Sequence, residues 1–206
     1  FETPGERAIG IMTAGSLSIT QTTMARLTDA NDDPESDRSI LRAPTMLQVA
    51  EIVGGMLSDV TTEVSAKMER MSQGATASMI VAGQRKGGPM RMFLVYPEGN
   101  FIEASDETPF FQIGETKYGR PILIRAFSPE MTFEEAVKLL YVSFDSTLKA
   151  NLSVGMPLDL QTIETDTCKV AERRRVEEND PYFTTISSRW GDALKLAFNS
   201  LPDYQF

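Results

Sequence analysis

Residues 75–119, ATASMIVAGQRKGGPMRMFLVYPEGNFIEASDETPFFQIGETKYG, contain the strongest strand and turn signals of the chain. Two apolar runs at 77–83 and 90–96 flank a Lys-Gly-Gly-Pro sequence, in which glycine can supply the positive φ angles of a tight turn. A second turn is predicted at 97–100, where the sequence is Pro-Glu-Gly-Asn. The stretch therefore predicts an antiparallel meander of four strands, which continues with residues 101–104 and 110–113.

The second strand of this meander has two apolar faces. Met92 and Leu94 share one face, whereas Phe93 and Val95 share the other. A strand that is apolar on both sides is usually covered on both sides. We therefore expect helices or a second sheet against each face.

Helix starts and strand-like runs outside the meander complete the fold prediction. Thr45 with Gln48, and Thr132 with Glu135, have the spacing of a capping box at a helix start. Two groups of strands separated by helices predict an α+β chain, a four-layer αββα sandwich of two antiparallel sheets. In order, the other predicted elements are a strand at 7–13, a helix from Ser16 to about Leu27, an acidic loop at 29–38, a helix from Thr45, helices at 118–127 and 132–150, strands at 158–165 and 169–177, and a helix after Asp180.

Two of these helices carry apolar stripes that predict burial. In the helix after Thr45, apolar residues recur every three or four positions from Val49 to Met71. Gly54 and Gly55 interrupt it, which predicts either a close approach of a neighbouring backbone or a kink. In the last helix the predicted core residues are Phe183, Ile186, Trp190, Leu194 and Ala197.

Composition limits the function classes. The chain has 206 residues, 41% of them hydrophobic, and no apolar run as long as a membrane span, which predicts one soluble domain. A net charge of -9 argues against nucleic-acid binding, and acidic residues directly follow the basic cluster at 173–175. The single cysteine, Cys168, excludes an internal disulfide and is compatible with the cytoplasm, where we expect the protein to act.

The sequence contains no histidine. A serine or cysteine nucleophile with a histidine base is therefore excluded within this chain, as is a zinc site with histidine ligands. Hydrolytic chemistry would need a lysine, a carboxylate or an α-amino group as its base. We expect no metal and no cofactor.

A glycine lies where the first predicted strand passes into the first helix, in the sequence Thr13-Ala14-Gly15-Ser16. Such a junction can present backbone N–H groups to an anion or to an oxyanion. It can equally be a tight turn between a core strand and a core helix. The junction by itself leaves both interpretations open.

Several unusual strings together resemble the proteasome-like N-terminal-nucleophile hydrolases, and most closely the bacterial Anbu group of proteasome-related proteins. The resemblance covers nearly all of the chain. Its strings are TAGS at 13–16, YPEGNFIEAS at 96–105, TPFFQIGETKYGRPIL at 108–123, SFDSTLKANLSVGMPLDL at 143–160, and DPYF at 180–183 with Trp190 after it.

This resemblance implies a catalytic N-terminal threonine whose α-amino group acts as the base. A lysine lowers the proton affinity of the nucleophile. It also implies assembly with copies of the same chain into a ring or spiral that acts on peptides or unfolded proteins. The first two strands of the fold, with the nucleophile and the lysine, are expected to precede Phe1.

Three site residues follow from the resemblance at the strand-to-helix junction. Gly15 corresponds to the glycine whose N–H stabilises the tetrahedral oxyanion. Thr13 and Leu17 correspond to walls of the pocket that accepts the substrate side chain.

Three more candidate site residues are Glu115, Asn151 and Ser153. Glu115 stands where relatives have a serine, and it either orients or charges the α-amino group, or pairs with Lys117 on the surface. If Ser153 is the family's loop serine, the acidic residue expected three positions earlier falls on Ala150, and Asn151 is its possible substitute.

Three functions remain open from the sequence. The first is an amide or peptide hydrolase. The second is a proteasome-like assembly or binding subunit with weak or absent catalysis, which Glu115 and Ala150 favour. The third, supported only by the glycine turn, is an anion or nucleotide binder at Gly15 and Ser16.

Overall fold

The computed structural model describes residues 1–68 and 75–206, which form two compact units. The first unit comprises residues 1–114 and 161–173, and the second comprises residues 115–160 and 174–206. The strands are β1 (Glu2–Thr3), β2 (Arg7–Gly15), β3 (Ala77–Arg85), β4 (Arg91–Val95), β5 (Phe101–Glu103), β6 (Leu158–Ile163) and β7 (Val170–Val176). The helices are α1 (Leu17–Asp32), α2 (Met46–Met68), α3 (Arg120–Ala126), α4 (Phe133–Ala150) and α5 (Pro181–Asn199).

An antiparallel sheet of five strands, in the order β1-β2-β3-β4-β5, forms the centre of the first unit. The predicted meander forms its β3-β4-β5 side, with Val81 opposite Phe93 and Leu94 opposite Ile102. The first two predicted turns are confirmed. β6 and β7 form a second, two-stranded sheet, so the α+β prediction with two sheets is also confirmed.

The fourth strand predicted for the meander, at 110–113, does not form. Ser105 and Thr108 exchange backbone hydrogen bonds of 3.1 and 3.0 Å across the Asp-Glu turn, and the pairing stops there. Pro109 follows directly and has no N–H to continue the ladder. The apolar run after it was therefore misinterpreted as a strand.

Helices α1 and α2 cover one face of the sheet. Ile19 and Leu27 of α1 are fully buried, as is Val53 of α2, and they share one core with Phe93 and Val95. The close backbone approach predicted at Gly54 is confirmed, since a Cβ there would overlap the carbonyl oxygen of Gly99. Met71, predicted to extend the α2 stripe, lies outside the described residues.

Helix α1 continues through residues 29–32, which the sequence analysis assigned to a loop. The guanidinium of Arg42 donates hydrogen bonds to the carbonyl oxygens of Asn31 at 3.0 Å and Ala30 at 3.2 Å. Carbonyls at a helix end have no partner within the helix. A side chain that lies beyond the loop therefore stabilises the extra turn.

The second unit contains α3, α4 and α5. The capping box of Thr132 and Glu135 opens α4, and the Asp180 carboxylate accepts the N–H of Phe183 at 2.9 Å to open α5, both as predicted. Tyr141 of α4 packs against Phe183 with ring centroids 5.6 Å apart.

The prediction that α5 is buried along its whole length is wrong. Phe183 is buried, but Leu194 is 50% exposed and Phe198 is 75% exposed. The apolar core of this unit contains α5 residues only up to Ile186. The apolar stripe of α5 therefore continues beyond the core that it helps to form.

The basic cluster in β7 is paired with carboxylates. Arg174 contacts Asp180 at 2.6 Å, and Arg175 contacts Asp159 at 3.1 Å. Each of these two arginines therefore has an acidic partner. No helix among the described residues is long and apolar enough to cross a membrane.

Candidate functional site

The junction of β2 and α1 depends on Gly15. Its φ is +106°, a conformation that L side chains rarely adopt, and a Cβ there would overlap the carbonyl oxygen of Thr76. The N–H of Ser16 donates to that same oxygen at 2.8 Å. One of the donors that a bound anion would need is therefore already used, which weakens the anion-binder interpretation.

The N–H of Gly15 points away from β3. In an antiparallel pair, successive residues of a strand direct their N–H groups alternately to one neighbouring strand and to the other side. The N–H of Ser16 donates to Thr76 and the N–H of Lys86 donates to Glu6, so the even-numbered residues of β2 are the ones that bond to β3. Odd-numbered residues face the other side, where the N–H of Ile9 donates to the carbonyl oxygen of Phe1 at 2.8 Å. β1 reaches no further along β2 than this point.

The edge of β2 beyond β1 is open in the described part of the chain. The N–H groups of Ile11, Thr13 and Gly15 face it, and none of them donates a hydrogen bond to a described residue. Such a row of unpaired groups can add an extended peptide as a further strand.

The side chains predicted to form the substrate pocket lie beside this edge. Thr13 and Gly15 are exposed, and Leu17, the first residue of α1, is 66% exposed. Thr13, Gly15 and Leu17, which lie within five consecutive residues, are thus all exposed at the end of β2 and the start of α1. Met12, which is 57% exposed, is an apolar side chain on the opposite face of β2 from Thr13.

Glu115, Asn151 and Ser153 are brought together in the second unit. The amide nitrogen Nδ2 of Asn151 donates to Glu115 Oε2 at 2.8 Å. The amide oxygen of Asn151 accepts the N–H of Ser153 at 2.8 Å and its hydroxyl at 2.7 Å. Asn151 thus joins the other two residues, a role that neither composition nor spacing could show.

Hydrogen bonds stabilise the ionised form of Glu115. The backbone N–H of Lys117, 2.8 Å from Glu115 Oε1, lowers the pKa of this carboxyl group most, and the bond from Asn151 lowers it further. Partial desolvation acts in the opposite direction. Lys117 thus contacts Glu115 through its backbone N–H, and the positive charge of its side chain also lowers the pKa of Glu115.

Ala150 provides no carboxylate at the position where the resemblance expects one. It is the exposed last residue of α4. The neighbouring acid on that helix, Asp145, is buried and contacts Lys149 Nζ at 3.0 Å. No group of acidic or cysteine side chains among the described residues could hold a metal ion.

The titration of Glu115 provides a test of this network. Replacing Asn151 by alanine is expected to raise the pKa of Glu115 towards its ordinary value, without reaching it, because the N–H of Lys117 remains. Because folding lowers the pKa of Glu115, the hydrogen bonds to its ionised carboxylate stabilise the fold at pH values above the ordinary pKa. This stabilisation is lost as the pH falls through the lowered pKa.

The carboxyl 13C shift of Glu115, assigned by its loss in Glu115→Gln, measures this pKa. Ser153→Ala is the matched control, because Ser153 bonds the other end of the Asn151 amide. We expect a smaller rise in Ser153→Ala, which acts on Glu115 only through Asn151, and an unchanged titration in Asn151→Ala would contradict the network.

Solved structures similar to this chain include Anbu proteins from three bacteria. Anbu, the ancestral beta-subunit, from Yersinia bercovieri is 36% identical, with a TM-score of 0.92 over 100% of this chain and 84% of that chain. A Gly-1 mutant of Anbu from Hyphomicrobium sp. strain MC1 is 41% identical, with a TM-score of 0.91 over 100% and 85%. The helical assembly of the Anbu complex from Pseudomonas aeruginosa is 36% identical, with a TM-score of 0.92 over 100% and 84%.

No protein-family model and no curated protein matches the chain. The structural matches nevertheless extend over its whole length, and the class they define is the proteasome-like N-terminal-nucleophile hydrolase fold. Within that class the chain belongs to the Anbu family.

Proposed function

We propose that this chain is a subunit of an N-terminal-nucleophile amide or peptide hydrolase that assembles with copies of itself and acts in the cytoplasm. The observation that carries the proposal is the open edge of β2, where the N–H of Gly15 has no partner among the described residues. The chemistry needs no histidine, and the sequence has none.

An extended peptide fits this edge through its backbone. Its main chain would pair with the N–H groups of Thr13 and Gly15, as in the addition of a strand to a sheet. A carbonyl held against Gly15 would then lie where this N–H can stabilise the negative charge of a tetrahedral intermediate. Thr13 and Leu17 would contact the adjoining substrate side chain.

We assign Glu115 the role of orienting or charging the terminal α-amino group, with Asn151 fixing the carboxylate and Ser153 fixing the Asn151 amide. The lowered pKa of Glu115 supports an ionised carboxylate at neutral pH. An anion favours the protonated form of a nearby amine and can also fix its direction through a hydrogen bond. This assignment makes Asn151, and not Ala150, the functional residue at the end of α4.

Self-assembly is supported by a relative. The protein from Pseudomonas aeruginosa is described as a helical assembly. A likeness that extends over 100% of this chain makes a similar association of its own copies, into a ring or spiral, the expected quaternary arrangement.

The second candidate is an assembly or binding subunit without robust catalysis. Glu115 and Ala150, which differ from the residues that the resemblance expects, favour it. The open edge of β2 would then hold a peptide without cleaving it.

Covalent labelling decides between these functions. The protein purified from its full gene is sequenced at its terminus and treated with an inhibitor that reacts with N-terminal nucleophiles. We expect intact mass to show about one adduct per chain. Material with an acetylated terminal amine is the control and should stay unlabelled. A free terminal threonine, serine or cysteine that does not react would exclude the hydrolase and favour the binding subunit.

A further inference from the structure

One polar cluster of the second unit lies next to the candidate site and has no role in it so far. Asp145, on α4, has a side chain that is only 4% exposed. A carboxylate so deeply buried requires a partner, and Lys149 provides one with its ammonium 3.0 Å away. Lys149 Nζ also donates to the hydroxyl of Ser187 on α5 at 3.0 Å.

This cluster is located where α4 ends. Lys149 precedes the final helical residue, and Asn151 is the C-cap, with its N–H bonded to the carbonyl oxygen of Thr147 at 2.9 Å. The last turn of a helix frays unless other contacts hold it. In this turn the contacts from Lys149 reach back one turn to Asp145 and across to Ser187.

A second contact between the same two helices lies further back on α4. The rings of Tyr141 and Phe183 pack with centroids 5.6 Å apart, and Tyr141 is 3% exposed. The aromatic contact fixes α4 against α5 at that point, whereas the Lys149 contacts fix its final turn. The direction in which Asn151 leaves the helix therefore depends on the contacts of Lys149 with Asp145 and Ser187.

We propose that Asp145, Lys149 and Ser187 are positioning residues that hold the end of α4 so that Asn151 bonds Glu115 and Ser153. The catalytic meaning of this inference rests on the proposed function, but the positioning itself does not. Asp145 fixes the rotamer of Lys149, and Lys149 ties the last turn of α4 to α5. Asn151 then presents its amide to Glu115 in the geometry described above.

The test is the pKa of Glu115, read from its carboxyl 13C shift, in Asp145→Asn. Removing a negative charge should by Coulomb's law lower the pKa of a nearby carboxyl group or leave it unchanged. Loss of the Asn151 bond should raise it. We expect a rise comparable to that in Asn151→Ala. A purely electrostatic effect of Asp145 would not change the pKa in this direction.

Ser187→Ala keeps the experiment decisive if Asp145→Asn fails to fold. This variant changes no charge, and we expect a smaller rise in the same pKa. The charge control is Glu134→Gln at the exposed start of α4, which removes one negative charge as Asp145→Asn does, and no rise is expected there. Lys149→Arg, which preserves the charge and the donors, should keep the titration close to that of the unmodified protein.

The inference is overturned if the pKa of Glu115 falls or stays constant in both Asp145→Asn and Ser187→Ala. This outcome is separate from the fate of the proposed function, because the titration requires no hydrolysis. If the pKa rises in these variants but the unsubstituted protein from the full gene shows no hydrolysis, the positioning is supported and the enzyme is excluded. If the unsubstituted protein hydrolyses its substrate but the pKa does not rise in the variants, the enzyme is supported and the positioning is excluded.

Discussion

Replacing Gly15 by alanine is expected to abolish hydrolysis and to lower the free energy of unfolding by about 2–4 kcal/mol. Two costs act together. The φ of +106° disfavours any side chain, and the new Cβ would overlap the Thr76 carbonyl oxygen and crowd Ala77 Cα, 2.9 Å away. Backbone atoms cannot rotate aside as the end of a side chain can, so the junction itself must move.

Movement of the junction displaces the N–H of Gly15. Loss of one oxyanion donor lowers kcat by about 100- to 1000-fold in other hydrolases. Because Gly15→Ala lowers both kcat and stability, a reduction in activity alone would not show which of the two effects caused it.

Gly83→Ala is the matched control for Gly15→Ala. Its Cβ would overlap the carbonyl oxygen of Ala8 in the same sheet, but Gly83 lies away from the open edge of β2. We expect a loss of about 1–3 kcal/mol in denaturant unfolding, with hydrolysis by the folded fraction retained. Full activity in folded Gly15→Ala would show that the oxyanion assignment is wrong.

Replacing Gly54 by alanine is expected to lower the free energy of unfolding by about 2 kcal/mol, although alanine favours helix over glycine by about 1 kcal/mol. The reason is the backbone of the β4-β5 turn. A Cβ on Gly54 would overlap the carbonyl oxygen of Gly99, which itself has a φ of +91° and little freedom to adjust. Separation of α2 from this turn would open the core of the first unit.

The adjacent glycine provides the control. A Cβ on Gly55 would lie 3.2 Å from Arg38 Nη2, the far end of a flexible side chain that can move away. Gly55→Ala should therefore raise the stability by about 0.5–1 kcal/mol through helix propensity alone. Chemical denaturation measures both variants, and equal effects in the two would contradict the close approach of the helix and the turn.

These glycines also show the limit of the pattern from which they were predicted. The pair Gly54-Gly55 indicated that a backbone approaches α2, but it did not indicate which glycine needs the space or what fills it. Only the position of the turn at Gly99 decides this. A propensity scale assigns the two residues the same cost, whereas the structure makes one essential and the other replaceable.

Most of the candidate site residues were predicted from the family resemblance, and fewer could be predicted from local chemistry. Gly15 stood out as a glycine between strand and helix, and the resemblance added Thr13 and Leu17. Asn151 entered only as a possible substitute for a missing acid. Its bonds to Glu115 and Ser153 join residues 36 positions apart in one case and two in the other, and no local pattern encodes the longer one.

Elements whose causes are local could be predicted from the sequence. Turn chemistry at 86–89 and 97–100 fixed the β3-β4-β5 meander, and caps at Thr132 and Asp180 fixed the starts of α4 and α5. Each of these signals acts within about four residues, the reach of a turn or a first helical turn.

Tertiary structure decided whatever depended on a distant partner. Arg42 extends α1 by bonding its last carbonyls, and a premature bridge between Ser105 and Thr108 removes the predicted fourth strand. The end of α5 stays exposed although its apolar spacing matches that of a buried helix. Periodicity shows which face of an element could be covered, but burial requires that another part of a protein actually lies against it.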